Sequence, residues 1–213
     1  MSGTGSQCTK GPELVLFDWD GTIVDSYGFL KAAHSHVRES YGLPPWNDQD
    51  FKTILRHSTR EIYGQLYGDR AEDAAAMLRR YVDAHHADSL HLMQGAEELI
   101  AFLRRSGTRA GVVSNKRHER LAADIESLGW KDAFLAVVGA GRAHRDKPAA
   151  DPVLMAIEES GFSGRVGQVW YVGDTITDME SARAAGVCAV FVEHGMGDFY
   201  DLSHLQPDHV FQN

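Results

Sequence analysis

Cysteine is almost missing from this chain: Cys8 and Cys188 are the only two among 213 residues. Two residues so far apart give no disulfide framework and none of the close spacing of a zinc knuckle. No apolar run approaches the length of a membrane span, so no membrane partner is expected. There is no clustered basic stripe, and Lys and Arg number 21 against 30 Asp and Glu, a formal charge of −9. That balance argues against a nucleic-acid surface. An anionic substrate would need positive charge supplied locally, by a metal or a few placed cationic side chains. Residues 1–12, MSGTGSQCTKGP, lack the apolar region of a signal peptide and read as a flexible tail. The cytoplasm is therefore the expected location. There is no internal repeat and no low-complexity segment.

What is present is ordinary in bulk, with 43% apolar and 24% charged residues, and informative in pattern. Residues 14–26 read LVLFDWDGTIVDS. The run from Leu14 to Phe17 is too short for a helix and fits a strand buried on both faces. It ends at Asp18, and Asp20 follows two residues later, on the same side of the chain if it stays extended. Gly21 permits a turn and a close ligand approach, and Thr22 adds a hydroxyl. Paired carboxylates at the end of a buried strand are costly unless a metal or a reaction uses them. The plainer alternative is that the two aspartates open a turn. Trp19 between them should point away, toward packing.

Residues from about 27 to 90 carry no strand pattern. Helices are expected over 27–41, after an Asn47/Asp50 cap, after a Ser58–Glu61 capping box, and from Asp69 with Glu72 onward. From Gly95 the chain alternates: helix 96–105, strand 110–113, helix to Leu128, strand 134–138, a helix starting with Asp151 as cap and Pro152, strand 169–172, helix 176–185, and strands 188–192 and 209–211. Alternation of this kind predicts an α/β fold, a Rossmann-like three-layer α/β/α core with a mostly parallel sheet. A small all-helical cap domain is inserted after the first strand. The expected divisions are tail 1–12, a discontinuous core of 13–27 and 92–213, and a cap of 28–91.

In open parallel sheets, ligands bind at the carboxyl ends of strands. Four such ends carry or lead into Asp18 and Asp20, Ser114, Lys147, and Asp174 with Asp178. Taken singly, Ser114 and Asn115 could cap the next helix, Lys147 could be a solvated loop residue, and Thr175 with Asp178 could be a capping pair. Taken together they put carboxylates, a hydroxyl and an ammonium around one crevice. Oxygen ligands with no His or Cys among them suit Mg²⁺ rather than zinc. The eleven histidines give no convincing metal spacing near another ligand; six lie in or beside the cap, among them His85-His86 near a helix end, where a solvated role is expected.

The order and spacing of DWDGT (Asp18 to Thr22), Ser114-Asn115, Lys147-Pro148 and GDTITD (Gly173 to Asp178) resemble the haloacid dehalogenase superfamily, in particular its phosphoglycolate-phosphatase-like branch with a helical cap. The resemblance spans roughly residues 13–211. Departures are Ala150, where relatives often have proline, and the loop 139–146, which carries Arg142, His144 and Arg145 where many relatives are acidic.

The resemblance implies a phosphoric monoester hydrolase acting on a small phosphorylated metabolite. Asp18 is then the nucleophile, forming an aspartyl phosphate. Mg²⁺ is held by Asp18, Asp174 and the backbone carbonyl of Asp20, with Asp178 a direct or outer partner. Lys147 offsets charge. Ser114 donates a hydrogen bond to the transferring group, as do backbone N–H groups near Gly21 and Thr22, and Asn115 belongs to the substrate-binding set. Asp20 protonates the leaving alcohol and then activates water, which requires a proton on it at the first step, favoured by like-charged neighbours. Presence of Asp20 argues against the dehalogenase branch. A phosphomutase, a phosphonatase using Lys31 or Lys52, and a non-catalytic phosphate-binding protein on the same fold are the alternatives. The implied state is monomer or homodimer. Selectivity falls to the segment Leu55-Arg56-His57-Ser58-Thr59-Arg60. Arg56 is the first candidate for the non-phosphate end of the substrate, with Arg60 and His57 behind it, because a guanidinium fork suits a carboxylate. The alternative is that these are solvated surface residues.

Overall fold

The computed structural model describes residues 8, 11–55, 57, 59–85, 90–193 and 207–212, with only the backbone described at Arg60 and Glu61. The chain divides into two compact units, Val24–His91 and the remainder, Met1–Ile23 with Leu92–Asn213.

The larger unit is built on one six-stranded parallel sheet. The strands are β1 (Leu14–Phe17), β2 (Arg109–Arg117), β3 (Ala136–Ala140), β4 (Val169–Gly173), β5 (Cys188–Glu193) and β6 (His209–Gln212), in the order β3-β2-β1-β4-β5-β6. All four residues of β1 are buried, as a strand covered on both faces must be. The crossover helices are α5 (Ala96–Ser106), α6 (His118–Ser127), α7 (Asp151–Glu159) and α8 (Ile176–Ala185). Leu14, Leu16, Val138, Val153, Tyr171, Met179 and Phe191 belong to one buried cluster that joins the sheet to α7 and α8. The chain leaves β1 for β2 and β3 on one side and returns to β4 on the other. The switch point of the topology therefore falls between β1 and β4.

Several boundaries differ from those expected. Strand β2 runs on through Arg117, so Ser114 and Asn115 lie within a strand and do not cap a helix; Arg117 precedes α6 with no side-chain cap. Strand β3 starts at Ala136 because a short 3₁₀ turn occupies Lys131–Ala133. Ala150, not Asp151, is the N-cap of α7, which places Asp151 and Pro152 inside its first turn. The Asp151 carboxylate instead accepts from Arg145 Nε and Nη2 at 3.1 and 2.8 Å. Arg142 pairs with Glu159 at 2.8 Å. Both arginines of the 139–146 loop are thus committed to the two ends of α7. A disulfide framework was not expected from the sequence, yet Cys8 and Cys188 are joined by a disulfide.

The helices of the smaller unit are α1 (Tyr27–Ser40), α2 (Asp48–Ile54), α3 (Thr59–Tyr67) and α4 (Ala71–His85). Asn47 caps α2 through Asn47 Oδ1, which accepts from Asp50 N at 2.9 Å. Asp69 does not start a helix; it lies in a 3₁₀ turn, Gly68–Arg70, ahead of α4. The Ser58–Glu61 capping box, Arg56 and His86 lie outside the described residues or side chains. Phe51, Ile62, Tyr63, Tyr67, Ala74 and Leu78 form the core of this unit.

His34 sits inside that core, with Nδ1 3.0 Å from the Tyr63 hydroxyl. Burial lowers its pKa from 6.5 to about 4. As pH falls, the unfolded chain takes up this proton before the folded one. The stability owed to neutral His34 is therefore complete above pH 6.5 and lost as pH falls toward 4. Going from pH 7 to pH 5 should cost this unit about 2 kcal/mol. Helical melting curves followed across that range check this. His34→Phe, though less stable at neutral pH, should flatten the dependence; an unchanged slope would remove His34 as its source.

Candidate active site

The central three strands deliver their carboxyl ends to one place. Phe17 lies opposite Val172 of β4 and Val112 of β2, so Asp18, Gly173-Asp174 and Ser114 emerge side by side. The Asp18 N–H still donates to Val172 O at 2.8 Å, which holds the nascent loop to the sheet. Carboxylate oxygens of Asp18, Asp174 and Asp178 lie within 4.8 Å of one another.

Lys147 is the counter-charge. Its Nζ donates to Asp18 Oδ1 at 2.8 Å and to Asp178 Oδ1 at 2.6 Å, and the lysine is buried. It is not a solvated loop residue. Asn115 explains how a loop residue is held so firmly. Its side-chain amide donates to Lys147 O and accepts from Lys147 N, both at 3.0 Å, which clamps the Lys147 backbone to the end of β2. Asn115 therefore spends its side chain on Lys147.

Asp178 serves two ends at once. Its Oδ2 accepts from Thr175 N at 3.0 Å while Thr175 Oγ1 accepts from Asp178 N, a capping box at the start of α8. Its Oδ1 faces Lys147 and lies 2.9 Å from the Tyr171 hydroxyl, which is also 2.9 Å from Val113 O. Cap residue and site residue are thus the same carboxylate used through different oxygens. Two glycines make room. A Cβ on Gly173 would fall 2.4 Å from Asp178 Cγ. Gly21, at φ +88°, would put one 2.4 Å from Asp174 Oδ2. Thr22 Oγ1 donates to Asp174 Oδ1 at 2.8 Å, so this hydroxyl orients a carboxylate.

The electrostatics are lopsided. Burial, and then the Asp178 charge, push the Asp18 carboxyl up to about 8 against the opposing pull of Lys147. For Lys147, burial opposes the charge, but Asp178 and Asp18 outweigh it and hold the ammonium protonated above its ordinary range. Burial and the same carboxylates raise Tyr171 as well, so it stays a neutral donor. Lys147 pairs with two of the three clustered carboxylates, and the surplus of negative charge is what a cation relieves.

Asp20 stands apart from this cluster. Its Oδ1 lies 3.2 Å from Lys116 Nζ, which also meets Asp124 Oδ2 at 2.7 Å. Like charge was expected to crowd Asp20; it gathers around Asp18, while Asp20 faces a cation. Burial opposes the Lys116 charge, but Asp20 and Asp124 outweigh it and raise its pKa. Trp19 turns away from the aspartates into packing, its ring edge-on to Trp130 at 6.2 Å and its Nε1 donating to Asp124 Oδ2 at 3.3 Å. Ser114 is buried and its Oγ accepts from Lys116 N at 3.2 Å.

Lys116, Asp124 and Tyr171 were not foreseen. A lysine directly after Ser114-Asn115 was the available signal for the first, while Tyr171 read only as strand interior. Of the selectivity candidates, His57 is exposed in the helical unit, and the side chains of Arg56 and Arg60 lie outside the described residues.

The described residues contain no helix long and apolar enough to cross a membrane. A family model described as haloacid dehalogenase-like hydrolase matches residues 15–192. A phosphoglycolate phosphatase from Chromobacterium violaceum is 31% identical over 199 residues, which are 89% of this chain and 88% of that protein. An N-acetylmuramic acid 6-phosphate phosphatase from Pseudomonas aeruginosa is 27% identical, over 85% of this chain and 81% of that protein. The solved structure of a hydrolase described as a haloacid dehalogenase-like family protein from Streptococcus pneumoniae has the same fold, with a TM-score of 0.79 at 22% identity, covering 97% of this chain and 94% of that one. With the carboxylate cluster seated at the switch point of a sheet of this topology, the chain belongs to the haloacid dehalogenase-like hydrolase family and is a phosphoglycolate-phosphatase-like hydrolase within it.

Proposed function

We propose that this protein is a Mg²⁺-dependent phosphatase of a small phosphorylated carboxylic acid, phosphoglycolate or a close analogue, and that it works through an aspartyl phosphate on Asp18. The observation that carries this is the cluster of buried Asp18 and Asp178 with half-buried Asp174 at the ends of β1 and β4, where Lys147 pairs with the two buried carboxylates. The donor set is all carboxylate oxygen and carries excess negative charge, which fits a hard divalent cation. Asp18 and Asp174 would hold it, together with the Asp20 carbonyl. Asp178, whose two oxygens already serve Lys147, Tyr171 and Thr175, would hold Lys147 instead. When bound, Mg²⁺ offsets the charge of the phosphoryl oxygens and frees Asp18 to remain ionised.

The chain's own groups supply the rest. One oxygen of Asp18 attacks phosphorus as the bond to the substrate alcohol breaks. Lys147, held by Asn115 and Asp178, neutralises charge on Asp18 and the transferring group. Ser114 and the backbone N–H groups of the loop after Asp20 donate to phosphoryl oxygens. Asp20 passes its proton to the leaving alcohol and then takes one from the water that attacks the aspartyl phosphate. A neutral Asp20 leaves Lys116 paired with Asp124, so that lysine is never stranded. Lys31 is ion-paired with Asp48 at 2.7 Å, which speaks against a Schiff-base role.

Two relatives support the acid as substrate class, since phosphoglycolate and N-acetylmuramic acid 6-phosphate are both phosphomonoesters bearing a carboxylate. Such charged esters do not cross membranes unaided, which supports a cytoplasmic enzyme. Steady-state assay against phosphoglycolate, N-acetylmuramic acid 6-phosphate and an uncharged sugar phosphate tests the proposal. The two acids should give the highest kcat/KM, and equal turnover of all three would remove the carboxylate from the substrate definition. Ca²⁺ in place of Mg²⁺ should leave less than about a tenth of the activity, because calcium takes more ligands at longer distance. Full activity with Ca²⁺ would contradict the compact oxygen site.

A further inference from the structure

Far from the carboxylates in ligand character, a second cluster lies along the β5–β6 edge of the sheet. Cys8 Sγ, Cys188 Sγ and one ring nitrogen of His209 all fall within 4.8 Å of one another. Cys188 is buried at the start of β5, opposite Trp170 in the ladder. His209 opens β6 opposite Val190, and its ring packs on that of Trp170 with centroids 4.7 Å apart. Its position is fixed by the preceding residue: Asp208 N donates to Ala189 O at 2.8 Å, and the Asp208 carboxylate accepts from Ala189 N at 2.9 Å. The imidazole is therefore held by backbone, carboxylate and indole contacts, yet its Nε2 is buried with no hydrogen-bond partner. A buried ring nitrogen left unmatched, on an imidazole that has a nitrogen within 4.8 Å of two sulfurs, is the unexplained feature of this edge.

The two sulfurs are joined as a disulfide, and a disulfide sulfur is a poor metal ligand. Reduction changes this. A phosphine takes the oxygen of one water molecule, becomes the phosphine oxide, and leaves two thiols; a dithiol does the same by exchange and ends as a disulfide itself. A compartment kept reducing favours the thiol pair. We propose that in the reduced chain Cys8, Cys188 and His209 form a binding site for a zinc-class divalent cation. Binding releases one proton from each thiol, and two thiolates with a neutral imidazole then balance the two charges of the metal. Three protein ligands of this kind match the zinc preference for sulfur and nitrogen and leave a fourth position for water. Oxidation and metal binding exclude each other, and either state ties residue 8 to the sheet edge. The site does not compete with the oxygen-only cluster for Mg²⁺, because soft and hard ligands sort the two ions.

Cadmium is the probe, since its thiolate complexes absorb in the ultraviolet and its carboxylate complexes do not. The full chain is reduced with a phosphine, desalted without air, and titrated with Cd²⁺. The expected result is a sulfur-to-cadmium charge-transfer band that saturates at one ion per chain and is absent from the oxidised protein. Cys8→Ser should lose the two-thiolate band, and His209→Ala should weaken binding at least about tenfold, about 1.4 kcal/mol. Zn²⁺ should displace the cadmium and abolish the band. A reduced wild-type chain with no band would overturn the site. So would a His209→Ala chain that binds as tightly as wild type, which would leave only a cysteine pair. Both variants are at or near the surface, so neither result depends on replacing buried Cys188.

Discussion

Asp18→Asn is expected to reduce turnover by at least about a thousandfold while leaving the protein as stable as before, or more so, in the absence of metal. The loss follows from chemistry: an amide oxygen of nearly the same size is not an anionic nucleophile, and removing a group that forms the covalent intermediate costs orders of magnitude. The stability follows from electrostatics. In the metal-free protein burial and Asp178 push the Asp18 carboxyl up to about 8, so near neutral pH its ionised form is held at a cost. Asparagine removes that cost and still offers Lys147 an oxygen to meet at the 2.8 Å position. Melting temperature and kcat measured on the same preparation check both halves. A variant that retained near-normal steady-state activity would end the covalent mechanism. One that melted far below wild type would show that the Asp18–Lys147 pair is a net stabiliser.

Lys147→Met should fail in both respects. The substitution keeps the length and most of the volume but removes the only ammonium in contact with Asp18 and Asp178 among the described residues. Two buried carboxylates then face each other without a cation, Asp178 keeping only its bonds from Tyr171 and Thr175, and breaking a buried ion pair from one side costs about 3–5 kcal/mol. Activity should fall by about a hundred- to thousandfold, the range for losing one preorganised charge-stabilising donor. The two effects can be separated because Mg²⁺ replaces part of the missing positive charge. The melting temperature should recover when Mg²⁺ is added, more than it does in wild type, while kcat should not. Recovery of kcat as well would mean that Lys147 serves only to hold the site together. A small drop in melting temperature with no metal dependence would mean that the carboxylates are less charged than their surroundings imply.

The parts of this site that were legible in the sequence are those fixed by local spacing. The run 14–17 announced a buried strand, and the strand is there with its carboxylates at its end. The alternation after Gly95 announced a parallel sheet, and the order of strands puts β1 at its centre. Thr175 and Asp178 read either as a cap or as a site, and the structure uses them as both because a carboxylate has two oxygens. What was not legible depends on contacts made across the fold. Ser114 and Asn115 looked like a helix start because the apolar run stops at Val113; the strand continues, after an irregularity, because Arg117 still pairs with Ala140 of β3. Lys116 gained meaning only when the fold brought Asp20 and Asp124 to it. Cys8 and Cys188 are separated by 180 residues, and no spacing rule reaches that far. Asp151 lies one position inside its expected cap, and its carboxylate meets Arg145 instead of the helix terminus.

The most direct measurement is to stop turnover with acid and look for the intermediate. The enzyme is mixed with Mg²⁺ and phosphoglycolate, quenched in acid within a turnover, digested, and examined by peptide mass spectrometry. One phosphoryl group should be found on the peptide that contains Asp18. It should be stable in acid, released by hydroxylamine as an acyl phosphate must be, and absent from Asp18→Asn. A protein that hydrolyses phosphoglycolate while no phosphoryl group appears on Asp18, or while one appears on another residue, would contradict the account.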